Sequence, residues 1–109
     1  MGVLIKNTVI KEIGTIPIKV AETDNLKRAT VIGMSITNVS DNLCLVNVLL
    51  EDDTSTQGYF LKDTIIPEGT SLRAVSSGEK LVMGNNNRLL VSSNRENSLD
   101  VIVSFAEIT

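Results

Sequence analysis

Few residues in this sequence are placed to do chemistry. The densest acidic group is Glu51-Asp52-Asp53, and carboxylates and carbonyls in sets of about six to eight oxygens hold calcium. A calcium loop spaces its ligands on alternate residues around a glycine, whereas here Thr54-Ser55-Thr56 follows, so a solvated strand end is expected. Asp24 and Asp41 have no second acid nearby in sequence to form an acid-base pair. Cys44 is the single cysteine, and the chain has no histidine to activate it. Its neighbours Leu43, Leu45 and Val46 are apolar, which disfavours a thiolate and marks a small core residue of a protein assembled in a reducing compartment. Asn38-Val39-Ser40 matches a glycosylation acceptor, but that use needs a secretory route for which the sequence carries no signal. Tyr59 stands in for the aromatic platform of a sugar-binding module, and with no Trp in the chain it reads first as core or interface. No catalytic, cofactor-binding or metal-ligating residue is expected, and no cofactor.

The elements that carry these residues are strands. Val, Ile and Thr contribute 12, 11 and 10 of the 109 residues, against four Ala. β-Branched side chains fit a pleated surface and lose rotamer freedom in a helix, and no window sustains the helical period. The length fits one domain. With one Tyr and two Phe, aliphatic side chains must supply nearly all the burial. Domains with so light a core gain stability by association, and a homo-oligomer is expected, a trimer being favoured.

Along the chain, residues 1–20 read as an N-terminal arm with edge strands and residues 21–109 as a β-sandwich. The arm is apolar at Leu4, Ile5, Val9 and Ile10. Ile16-Pro17-Ile18-Lys19-Val20 alternates around a proline that removes a ladder donor, which confines it to an edge. Such an arm either completes its own sheet or adds a strand to a neighbour's. Leu4, Ile5, Val9, Ile10, Ile16, Pro17, Ile18 and Val20 are therefore the candidate contact residues. Thr30 to Thr37 alternates cleanly, with Ile32, Met34 and Ile36 on one face and Val31, Gly33 and Ser35 on the other. Leu43 to Glu51 is apolar on both faces and reads as a central strand. Further strands are expected at 57–66, 70–75, 79–83, 88–93 and 99–108, separated by turns that include Pro67-Glu68-Gly69, Ser76-Ser77-Gly78 and Gly84-Asn85-Asn86-Asn87. Seven to nine short strands at this spacing are the mark of an antiparallel sandwich or barrel.

Ten basic and thirteen acidic residues are scattered singly, so no footprint for nucleic acid or an anionic membrane is visible and neither partner is expected. No stretch is apolar enough for a membrane span. Lys6 stands where a myristoylation pattern wants Ser or Thr, and no targeting signal is expected.

Four segments carry a resemblance. They are Val31-Ile32-Gly33-Met34-Ser35-Ile36-Thr37-Asn38, Ile65-Ile66-Pro67-Glu68-Gly69-Thr70-Ser71-Leu72, Leu89-Leu90-Val91-Ser92-Ser93 and Asp100-Val101-Ile102-Val103-Ser104-Phe105-Ala106-Glu107-Ile108. Across residues 28–109 the sequence resembles small virion structural proteins of tailed bacteriophages, many from phages of cyanobacteria and other aquatic hosts. Members of that family carry Gly-Asp in the turn before the penultimate strand, where this chain has Gly84-Asn85. The resemblance implies a non-enzymatic particle component with an immunoglobulin-like or jelly-roll-like sandwich, assembled in the bacterial host cytoplasm and resident in the virion. Its partners would be phage capsid or tail proteins, with capsid decoration or cement the leading role. A neck, baseplate or tail-fibre subunit is the first alternative and a host-surface or glycan-binding module the second.

Overall fold

The computed structural model describes residues 2–75 and 80–108. The Ser76-Ser77-Gly78 turn and the strand start expected at Glu79 lie outside the described residues. Nine strands are present: β1 (Val3–Ile13), β2 (Ile18–Glu22), β3 (Arg28–Asn38), β4 (Cys44–Glu51), β5 (Gln57–Ile66), β6 (Ser71–Val75), β7 (Leu81–Met83), β8 (Arg88–Ser93) and β9 (Leu99–Ile108). They form two antiparallel sheets. In sheet A the order is β1-β9-β3, with β6 and β7 each pairing along the far side of β3; in sheet B it is β2-β8-β4-β5. Because β6 and β7 follow each other along one edge of β3, they act as two halves of one strand. Counted so, the sandwich has eight strands, and every connection except the β4–β5 hairpin and the β6–β7 join crosses between sheets. That is the jelly-roll arrangement of two interlocked Greek keys.

Alternation explains which residues meet between the sheets. β9 turns Leu99, Val101, Val103 and Phe105 inward, β4 turns in Cys44, Val46 and Val48, and β8 turns in Leu89 and Val91. Cys44 is a core residue, as its apolar neighbours predict. β4 lies between β8 and β5, so the strand with two apolar faces is central within its sheet.

The face assignment expected for β3 is corrected by a β-bulge. Its pairing with β9 slips between Val31 and Gly33, so Ile32 is an extra residue and the alternation changes phase there. Ala29, Val31, Met34 and Ile36 all face the core, while Ile32 looks out to solvent.

One end of the sandwich is closed by a buried amide. Asn38 is 0% exposed. Its Nδ2 donates to the Asn42 carbonyl (2.8 Å) and to the Ile66 carbonyl at the end of β5 (2.9 Å). Its Oδ1 accepts from the Ser40 N–H (2.9 Å) and the Ser40 hydroxyl (2.7 Å). The backbone is equally committed, with the Asn38 N–H donating to the Thr70 carbonyl and the Gly69 N–H donating to the Asn38 carbonyl. Gly69 makes this approach at φ +66, where a side chain would be strained. An asparagine held in this way has no amide free for glycosylation in the folded chain.

Asn38→Ala should destabilise the fold by about 3 kcal/mol, because it leaves the buried Ile66 carbonyl and the half-buried Ser40 N–H without their partner. Urea denaturation of the variant measures this; an unchanged midpoint and slope would show that the amide is dispensable.

Candidate interaction surface

The apolar N-terminus is a strand of its own subunit. β1 pairs with β9 in continuous register from Val3↔Ile108 to Ile10↔Val101 before a slip between Ile10 and Ile13. Of the two outcomes open to the arm, this chain completes its own sheet, and β1 becomes the outer strand of sheet A. β2 is the outer strand of sheet B on the same side of the sandwich, and the two lie in contact. The structure therefore gathers most of the candidate contact residues on one flank.

They divide by facing. Ile5 and Val9 point outward from sheet A and are 65% and 64% exposed, whereas Leu4 points inward and is still 53% exposed. Ile10 is half-buried and packs on the core. Ile16 and Pro17 are exposed in the β1–β2 connection, and Ile18 is partly exposed at the start of β2. Between the two strands runs a cleft of about 260 Å³ lined by Ile10, Ile13, Ile16, Ile18 and Glu96 among others. Val20 departs from this group. It is 2% exposed, because β2 slips against β8 between Lys19 and Ala21 and the extra residue is turned into the core.

A second surface escaped the sequence reading. Outward residues of β1, β9, β3 and β7 form cross-strand rows over sheet A: Ile5 with Ala106, Thr30 and Val82; Asn7 with Ser104 and Gly33; Val9 with Ile102, Ser35 and Arg73. Across the middle of this face only Arg73, at its margin, is charged; Arg28 and Asp100 stand in the rows at its two ends. Val3, Ile32, Ile102 and Val82 join Ile5 and Val9 as exposed apolar side chains on it. All six are at least 36% exposed, and large apolar side chains grouped on one face mark an interaction surface. Ile32 could not be assigned to this surface without knowledge of the bulge.

The polar clusters are occupied in holding loops. Asp52 accepts from the Thr54 hydroxyl (2.6 Å) and from the N–H groups of Thr54 (2.9 Å) and Thr56 (3.1 Å), which holds its carboxyl below the usual range. Glu51 corrects the expectation of a solvated acid. It is 7% exposed, ion-paired to Arg88 and accepting from Gln57 Nε2 at 2.8 Å. Its cross-strand partner Arg88 explains why the charge can be buried there. No cluster of metal-ligating side chains occurs among the described residues. Tyr59 is not in the core: it is exposed on the outer face of sheet B, beside Leu49 on β4. The Lys62 ammonium sits 5.3 Å from its ring centroid and so shares that ring.

These features define a jelly-roll sandwich with one apolar sheet face, charged only at its margins, and an open flank. No protein-family model matches the sequence, and no curated protein matches it. Solved structures share the fold. A pilus protein of Bacillus endospore appendages, described as a family of disulfide-linked pili, superposes with a TM-score of 0.58 at 8% identity, over 98% of this chain and 88% of that one. The T13 infectious bursal disease virus particle gives 0.52 at 7% identity over 96% of this chain. VP2 of the same virus, from a subviral particle, gives 0.52 at 11% identity, again over 96% of this chain. The present chain spans only 30% and 32% of those two viral chains. What is shared at such identities is the sandwich itself.

The flank is tied down by Glu96, whose Oε1 accepts from the Thr15 N–H (3.0 Å) and from the Thr15 hydroxyl. Its carboxylate lies over Gly14, where a Cβ would meet it at 2.6 Å. The two bonds from Thr15, the hydroxyl's first, hold the Glu96 carboxyl below its ordinary value of 4.5. A depressed folded pKa adds stability above the unfolded value and loses it as pH falls through the folded one. Thermal melts should therefore fall more steeply below about pH 4.5 in the native protein than in Glu96→Gln. Parallel curves for the two would show that the Thr15 contacts contribute nothing.

Proposed function

We propose that this chain is a non-enzymatic structural subunit of a tailed-phage virion, a decoration or cement protein that seats the apolar face of sheet A on the capsid shell. That face carries the reading: exposed Ile and Val interleaved with Thr, Ser and Asn, with charges only at the margins, are costly to leave in water and suited to a broad contact. Three further facts support it. The sequence resembles phage structural proteins over residues 28–109; the fold is one that viral particles and a pilus also use; and the acidic clusters serve local turns and ion pairs. Subunits repeated over a shell bind through many weak contacts whose sum is strong. Cys44 is buried, so contacts between folded copies would be non-covalent, unlike those the disulfide-linked pili are named for.

A fibre-associated or other tail subunit is the second reading. It is favoured by the pilus protein, which this fold matches over 88% of its length.

Electron microscopy of particles with the labelled protein tests the assignment. Density on the shell is the expected result, and density confined to fibres or baseplate would overturn the decoration role in favour of the second reading. Ile102→Lys, in the middle of the face, should fold normally and bind particles at least about tenfold more weakly, since a lysine there must be desolvated on docking. Unchanged binding by this variant would move the contact to another surface.

A further inference from the structure

The sandwich has four sheet edges, and the described residues show how each is guarded. β2 is five residues long, follows Pro17 and slips against β8. β5 slips twice against β4, with Asp63 in the left-handed region at φ 48 and its N–H donating to Asn47 Oδ1. The far edge of sheet A is split between β6 and β7. Short strands, bulges and prolines are the devices that stop an edge from pairing with another chain. β1 has none of them from Val3 to Ile10. Its inward charge, Lys6, is already paired with Glu107 at 3.2 Å.

We propose that β1 pairs antiparallel with β1 of a second copy, about a two-fold axis through Asn7, to join the two A sheets into one. The register follows from side-chain chemistry. In an antiparallel pair, directly opposed residues point to the same face, so a self-pairing strand must centre on a residue. Centring on Lys6 would set two lysines opposite each other, which is destabilising. Centring on Asn7 places Ile5 opposite Val9 on the outer face, Leu4 opposite Ile10 on the inner face, and Lys6 opposite Thr8. Leu4, Ile5, Val9 and Ile10 then each meet an apolar partner, Val3 falls opposite Lys11, and no like charges meet. Each copy would cover the free backbone edge from Leu4 to Ile10 and the flanks of Leu4, Ile5, Val9 and Ile10, leaving the outer face open.

This pairing deepens the structural-subunit reading by naming the contact between copies. It builds dimers, and not the trimer favoured from composition. It also fuses the two outer faces of sheet A into one surface of doubled width.

Cysteine trapping tests the register in the intact protein. Opposed Cα atoms in an antiparallel pair lie about 4.5–5.5 Å apart, within disulfide reach, and the native Cys44 is buried and does not compete. Mild oxidation of Asn7→Cys should give a covalent dimer on a non-reducing gel, while Lys6→Cys and Thr8→Cys should not. By light scattering the unmodified protein should have the mass of two chains. Ile5→Glu alone should reduce it to one, and Ile5→Glu with Val9→Lys should restore two, because position 5 of each copy faces position 9 of the other. Both sites are exposed on the single chain, so circular dichroism should show the variants folded. A folded monomer without Asn7→Cys cross-linking, a trimer, or preferential cross-linking of Lys6→Cys would overturn the proposal. Particle binding separates the two readings: a monomer that still binds shells refutes the pairing alone, and a dimer that binds no particle refutes the decoration role alone.

Discussion

The sandwich depends on a polar group at the place where its two sheets must meet. Each crossing between sheets turns the backbone at the end of the core, where carbonyls leave one ladder before finding another. An unpaired buried carbonyl or N–H there costs about as much as a lost hydrogen bond. The Asn38 side chain resolves this at the β3–β4 crossing by binding the Ile66 carbonyl of sheet B and the Asn42 carbonyl and Ser40 of its own loop. Its backbone meanwhile holds the Pro67–Thr70 turn that starts β6. Ser98 does the corresponding task nearby, donating to Ser93 Oγ and the Arg95 carbonyl while its N–H reaches the Ile13 carbonyl. The Val39 N–H donates to the Ser98 carbonyl and links the two knots. Strands β1, β3, β5, β6, β8 and β9 thus all end against one small polar network in a region of low dielectric, where fully satisfied bonds are strong and partly satisfied ones are costly.

This network also explains which parts of the fold were legible from sequence. Pro67 and Gly69 look like ordinary turn residues and bound the turn expected there, whereas Asn38 closes β3 and Ser98 precedes β9. What composition cannot show is that Asn38 is buried, because groups that hold it come from Ile66, Gly69 and Thr70, about 30 positions on in the chain. The same limit applies to the charges: the burial of Glu51 follows from Arg88 across the ladder, 37 residues on.

Strand existence and the antiparallel sandwich-or-barrel class follow from period-two alternation and turn spacing, which are local properties. Facing does not, once a bulge intervenes. A slip of one residue inverts every later side chain, so the clean pattern of Thr30 to Thr37 was right about the strand and wrong about Val31 and Ile32. A bulge in β2 likewise turned Val20 from a candidate contact into a core residue. The apolar arm shows a different limit. A strand that completes its own sheet and one that completes a neighbour's need the same alternation and the same donors, so Leu4 to Ile10 could not separate the two. The length of β9 settles it: its Val101 to Ile108 run offers β1 an edge to match, residue for residue, from Ile10 back to Val3.

The bulges and the open flank belong to one physical pattern. Bulges add twist and re-aim side chains, and here they concentrate in β2, β3, β4 and β5. β9 pairs with β1 without interruption over the whole stretch from Val3 to Ile10. Sheet A is therefore most regular at the side where it is most exposed. Folding does not require that regularity, since the core side of β1 contributes Ile10 and Ile13 while Leu4 and Lys6 stay largely in solvent. A straight, unbroken edge is what a matching strand requires, and an apolar face is what a covering surface requires. β1 offers both at once, so the proposed pairing and docking would use the Val and Ile that this small core leaves unburied.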